Sequence, residues 1–166
     1  MKSLAFLLAL ICLFLCLCAF LFGCDPMVDP TVQPIYRMNS VVEFDGNSVC
    51  VTDATVSKTY LASDGTEYIA EASSVLIIVK CRASFTETYS IHKETTTVGN
   101  AAIDCNLLCE PFWEVSDTGE ESLILLFNHP VIDKSVTLNE YMLHLNLKVG
   151  PYLKYLDFSL EQRSAG

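Results

Sequence analysis

The sequence predicts an all-β protein, an antiparallel β-sandwich of about eight strands behind an N-terminal apolar signal or anchor helix. Three observations carry this. From Ser40 onward apolar side chains recur at every second residue, the period of a half-buried strand rather than of a helix. Turn-forming pairs such as Asp45-Gly46, Asp64-Gly65 and Gly150-Pro151 separate the runs, and such residues suit tight turns, the glycines by tolerating positive φ. No stretch of the body shows the apolar stripe of a soluble helix, so the strands have only one another to bury against.

Lys2 precedes Leu4 to Phe22, nineteen residues without charge or proline, and then Gly23-Cys24-Asp25-Pro26. A basic start, an apolar stretch and a small residue at the boundary are the parts of a secretory signal. The stretch is also nearly long enough to cross a bilayer as a helix. Residues 1–23 are therefore expected to be a signal peptide or membrane anchor. Leu21-Phe22-Gly23-Cys24 resembles the lipobox of bacterial lipoproteins, which makes Cys24 the expected lipidation site. The competing readings are an uncleaved single-pass anchor, with Lys2 on the cytoplasmic side, and plain secretion. All three export the body, and the expected location is the extracytoplasmic face of the cell membrane, held by lipid or by the apolar segment. Asp25 resembles the inner-membrane retention signal of some two-membrane bacteria. Residues 24–38, with Pro26, Pro30 and Pro34, read as a tether.

The body is expected to span residues 39–161, with a tail at 162–166. Ser40 to Phe44 and Asn47 to Val56 flank Asp45-Gly46 and predict a hairpin. Asp64-Gly65 marks a further turn before a long strand from Tyr68 to Phe85. There Val75, Ile77, Val79, Cys81, Ala83 and Phe85 share one face, while Leu76 and Ile78 make the other face apolar as well, as in a central strand. Ala101 to Cys109 alternates again, with Ile103, Cys105, Leu107 and Cys109 on the inward parity, and Pro111 ends it. Leu123 to Phe127 is a solid apolar strand. Tyr141, Leu143, Leu145, Leu147 and Val149 then alternate with Met142, His144, Asn146 and Lys148, and Gly150-Pro151 turns the chain into Tyr152 to Leu160.

Ser40-Val41-Val42-Glu43-Phe44-Asp45-Gly46 followed by Val49-Cys50-Val51-Thr52-Asp53-Ala54-Thr55-Val56-Ser57-Lys58 resembles the first hairpin of the telokin-like, immunoglobulin-fold domain common in bacterial lipoproteins. Val75 to Val79 and Leu123 to Phe127 fall where that family places its second and penultimate core strands. The resemblance covers roughly residues 38 to 160, and it implies an immunoglobulin-like sandwich serving as a non-enzymatic binding or accessory domain at the cell surface.

With 20 acids against 10 bases the chain carries a net charge of -10. Such a body is repelled by nucleic acid and by anionic lipid headgroups, so neither is an expected partner. An extracytoplasmic protein partner fits better. Of eight cysteines, Cys12, Cys16 and Cys18 lie in the apolar segment and Cys24 at its boundary, leaving Cys50, Cys81, Cys105 and Cys109. Outside the cytoplasm these can oxidise. Cys105 and Cys109, four apart on one extended strand, would stand about 13 Å apart and could not pair. Strand parity instead directs a disulfide from Cys81 to Cys105 or Cys109, with Cys50 a weaker partner because it has the opposite parity to Val49 and Val51.

A zinc site from Cys105, Cys109, His129 and His144 has ligands of the right type, but its spacing forms no compact motif and His144 lies on a polar face. No metal or cofactor is called for. Nucleophile elbows, phosphate loops and zinc-protease helices are absent from the sequence, so no catalytic residue is assigned. Asp117-Thr118-Gly119 beside Glu120-Glu121 reads as a solvated turn. Phe112 and Trp113 are the candidate binding residues, with core or edge packing as the competing role. Set against a binding sandwich are a metal-handling or thiol-dependent enzyme and an envelope immunity or exclusion lipoprotein.

Overall fold

The computed structural model describes residues 33–131 and 136–161. The chain divides into Met1–Gln33 and Pro34–Gly166. The signal or anchor segment, Cys24, most of the tether and the tail at 162–166 lie outside the described residues. No helix among the described residues is long and apolar enough to cross a membrane.

The second unit is a β-sandwich. One sheet has five strands in the order β10 (Phe112–Val115), β11 (Glu121–Pro130), β6 (Ser74–Ser84), β3 (Asn47–Ser57) and β2 (Val42–Phe44), all antiparallel. The other runs β1 (Ile35–Arg37), β13 (Tyr152–Ser159), β12 (Met142–Val149), β8 (Thr97–Gly99) and β9 (Asp104–Asn106), with β7 (Tyr89–Ile91) also paired to β12. In this sheet β1 runs parallel to β13. A hairpin of β4 (Thr59–Leu61) and β5 (Glu67–Ile69) forms a separate two-stranded sheet.

Alternation builds the core. Ile77, Val79 and Cys81 from β6, Leu123, Leu125 and Phe127 from β11, and Leu143, Leu145 and Leu147 from β12 are all buried in one cluster between the sheets. Each such side chain contributes about 1.5–3 kcal/mol through removal from water. The second apolar face of β6 also finds cover: Leu76, Ile78, Ile124 and Leu126 form a smaller cluster against Tyr60 and Tyr68 of the hairpin. A side-chain pin adds to this. Buried Asn47 donates from Nδ2 to the Asp45 carbonyl at 3.0 Å, and its Oδ1 accepts from the Thr86 backbone N–H at 2.8 Å.

Four expectations change. The stretch read as a tether ends too late, because Ile35–Arg37 already pairs with β13, and Tyr36 packs on Phe158 with ring centroids 5.6 Å apart. The run from Tyr68 to Phe85 is two strands, since Ser73 takes φ 61 and breaks the ladder before β6. Most consequential, Ala101 to Cys109 is not one strand. Asn100 Oδ1 accepts from the N–H groups of Ala102 and Ile103 at 2.9 and 3.2 Å, holding a tight turn, so β9 begins only at Asp104. Gly99 permits this turn, because a Cβ there would stand 2.3 Å from the Ile103 carbonyl oxygen. After Asn106 the chain crosses to the other sheet, where Leu107 bridges Phe127. Short strands such as β1, β5 and β9 raise the number above the eight expected.

Candidate functional site

β10 and β7 are edge strands of opposite sheets, and they are linked on one flank of the sandwich. In β10 successive side chains point to opposite faces. Phe112 pairs across the ladder with Ile124, on the outer face, and Trp113 with Leu123, on the inner one. Phe112 therefore leaves the flank and joins the smaller cluster, its ring stacked on Tyr68 at 5.5 Å and 9° and 6.4 Å from Tyr60. Glu114 follows the same parity. Its carboxylate accepts from the Tyr60 hydroxyl at 2.5 Å and from the Ser63 N–H at 2.9 Å, clasping the β4–β5 hairpin. Burial, then this carboxylate, raise the Tyr60 phenol well above its ordinary range.

Trp113 lies on the inner face but at its margin, where the facing sheet ends, and it is 36% exposed. Its Nε1–H donates to the Tyr89 hydroxyl of β7. The two rings meet edge to face, 6.2 Å apart at 89°, and Tyr89 in turn stacks on Phe85 at 4.3 Å. Such a hydrogen bond fixes the indole's orientation while leaving part of its surface to solvent. The three rings line a groove of 520 Å³ together with Glu87 and Glu121. Glu87 lies over the β12–β13 turn, its carboxylate filling the space that a Cβ on Gly150 would need. Of these residues the sequence signalled only Trp113. Phe85 and Glu87, in the β6–β7 connection, and Tyr89, at the start of β7, sit about 25 residues earlier, and nothing local tells that they meet β10.

The four cysteines among the described residues are free thiols: Cys50, Cys81 and Cys105 are buried and Cys109 is half-buried. The expected bridge from Cys81 to Cys105 or Cys109 is therefore not formed in this structure. Cys81 and Cys105 do share the main core, but the strand break at Asn106 sends Cys109 to the smaller cluster on the far side of the five-stranded sheet. Cys50 has the parity expected of it, opposite to Val49 and Val51, and pairs across the ladder with Arg82. Burial, and secondarily Cys50, push the Cys81 thiol up to about 12. Burial likewise raises Cys50, Cys105 and Cys109, which keeps all four thiols protonated and weakly nucleophilic at neutral pH.

The four zinc-type residues do not converge. His129 is buried, with Nε2 2.7 Å from the Tyr141 hydroxyl, a link between the two sheets. Its Nδ1 has no partner among the described residues. His144 lies on the outer face of the six-stranded sheet, Nδ1 2.8 Å from Asp157 Oδ1. Among the described residues no group of three or more His, Cys, Asp or Glu is placed to hold a metal ion. Asp117-Thr118-Gly119 forms the β10–β11 turn, closed by Ser116 N–H to the Glu120 carbonyl at 2.8 Å.

A larger crevice, 1080 Å³, opens where β1 faces the β2–β3 side of the sandwich and is bordered by Arg37, Asn39, Asp53 and Glu161. Its border lacks the converging rings of the Trp113 groove.

No protein-family model and no curated protein matches the chain. Among solved structures it is similar to an uncharacterized β-sandwich protein from Clostridium difficile, with a TM-score of 0.49 and 12% identity, over 78% of this chain and 96% of that one.

Proposed function

We propose that this chain is a membrane-tethered, extracytoplasmic binding protein whose immunoglobulin-like sandwich, of the telokin-like lipoprotein kind, recognises a protein partner without catalysing a reaction. The tether reading is supported by the apolar run from Leu4 to Phe22 and the Gly23-Cys24 boundary. The binding reading rests on one observation. Trp113 is held at the margin between two edge strands by its hydrogen bond to Tyr89, with its neighbour Val115 57% exposed. A large aromatic fixed in orientation, half in water and beside an open strand edge, has little rotamer entropy to lose on contact.

Incorporating a photo-crosslinking amino acid in place of Val115 and irradiating intact cells tests this. One discrete protein adduct is expected, and Trp113→Ala should abolish it. If the adduct is unchanged in that variant, or none forms at the native expression level, the flank is not the contact surface.

A further inference from the structure

Building on that binding reading, we infer that the groove beside Trp113 receives the basic side chain of an extended partner segment lying along β10. The groove joins two features that select a cation. Phe85, Tyr89 and Trp113 form a corner of rings, Phe85 stacked on Tyr89 and Trp113 perpendicular to it. Aromatic faces attract ammonium and guanidinium groups through the ring quadrupole. Glu87 and Glu121 border the same groove, and no basic side chain lines it. Neither carboxylate belongs to an ion pair among the described residues; the pairs there are Arg82–Glu120, His144–Asp157 and Lys154–Asp45. The net charge of -10 extends this polarity over the whole chain and raises the encounter rate with a basic partner.

The form of the partner follows from the strand. β10 ends its sheet, so one row of its backbone groups faces outward and can take a further strand. An added strand alternates its side chains, so its inward ones come beside Trp113 and Val115, which share a face of β10. A lysine or arginine at such a position has apolar contact for its stem and carboxylates for its head.

Trp113 is the single tryptophan of the chain, so its emission reports on this groove alone. The full chain in nonionic detergent is titrated with a blocked five-residue peptide carrying lysine at its centre. A norleucine peptide of the same length and tetramethylammonium chloride are the controls. The lysine peptide should give a saturable change in emission, about tenfold stronger in apparent affinity than norleucine. Glu87→Gln with Glu121→Gln should remove that preference while the far-ultraviolet circular dichroism is unchanged. Equal response to lysine and norleucine overturns the inference, as does the absence of a saturable change with lysine. Saturation by tetramethylammonium at lower concentration than the peptide also overturns it, in favour of a small quaternary ammonium ligand. A Trp113-dependent adduct at position 115 in cells, combined with failure of the lysine peptide, would leave the binding surface standing and remove only the cation.

Discussion

Phe112 and Trp113 are adjacent, yet the pleat sends one into a packed cluster and the other to the margin of the inner face. Their substitutions should therefore separate in urea titrations. Phe112→Ala removes the ring stacked on Tyr68 and should cost about 2–3 kcal/mol, below the figure for a fully buried phenylalanine because Phe112 is half-buried. Trp113→Ala should cost about 1 kcal/mol, mostly the hydrogen bond to Tyr89. A different residue makes stability depend on pH. Burial holds the His129 imidazole below its ordinary value. The unfolded chain takes up that proton near about pH 6.5 and the folded one only at lower pH. Between those values the unfolded state binds more protons, so the stabilisation is complete above about pH 6.5 and is lost as pH falls toward the folded value. His129→Gln keeps a polar group near Tyr141 without this titration. Its urea midpoint should fall less between pH 7 and pH 5.5 than that of the wild type. An equal fall in both would place the pH dependence elsewhere.

Regular alternation made some elements legible in the sequence. Asp45-Gly46 forms the hairpin turn with φ 48 and 78, and the inward set from Tyr141 to Val149 is buried throughout. Both faces of β6 are covered, as its apolar run implied. The failures share a physical cause, a local turn set by a residue whose neighbours still alternate. Ser73 in the left-handed region and the Asn100 side chain each stop a strand that hydrophobic periodicity would continue. Cys109 keeps the parity of Cys105 in sequence but loses it in space once the chain crosses sheets. The groove was less legible than the strands, because the Tyr89–Trp113 contact is tertiary. A direct check on the register uses two strands. Leu125→Ala and Leu145→Ala, both in the main core, should each cost about 2–5 kcal/mol. Lys148→Ala, exposed on the opposite face of β12, should stay within about 0.5 kcal/mol. Equal losses at all three would mean the strands face otherwise.

At the scale of the molecule, the proposed protein is an acidic sandwich held at a membrane through its N-terminal segment, with its proposed recognition surface on the flank where β7 and β10 meet. A lipid at Cys24 would supply more than one acyl chain, and each buried methylene adds about 0.8 kcal/mol of anchoring. Cys24→Ser should then leave unprocessed precursor without acyl mass. An intact Met1 to Phe22 segment on the wild-type protein, seen by mass spectrometry, would replace the lipid with a single-pass anchor. Other apolar groups are exposed too, Leu153 on the outer face of the six-stranded sheet and Leu61 on the β4–β5 hairpin, so the flank has competitors on the same molecule. The most direct test places the photo-crosslinker separately at positions 61, 115 and 153 and irradiates cells producing each full-length variant at native level. The adduct is predicted at position 115 and to depend on Trp113, with positions 61 and 153 at background. A stronger adduct at position 61 or 153, unaffected by Trp113→Ala, would contradict the assignment of the β7–β10 flank as the binding surface.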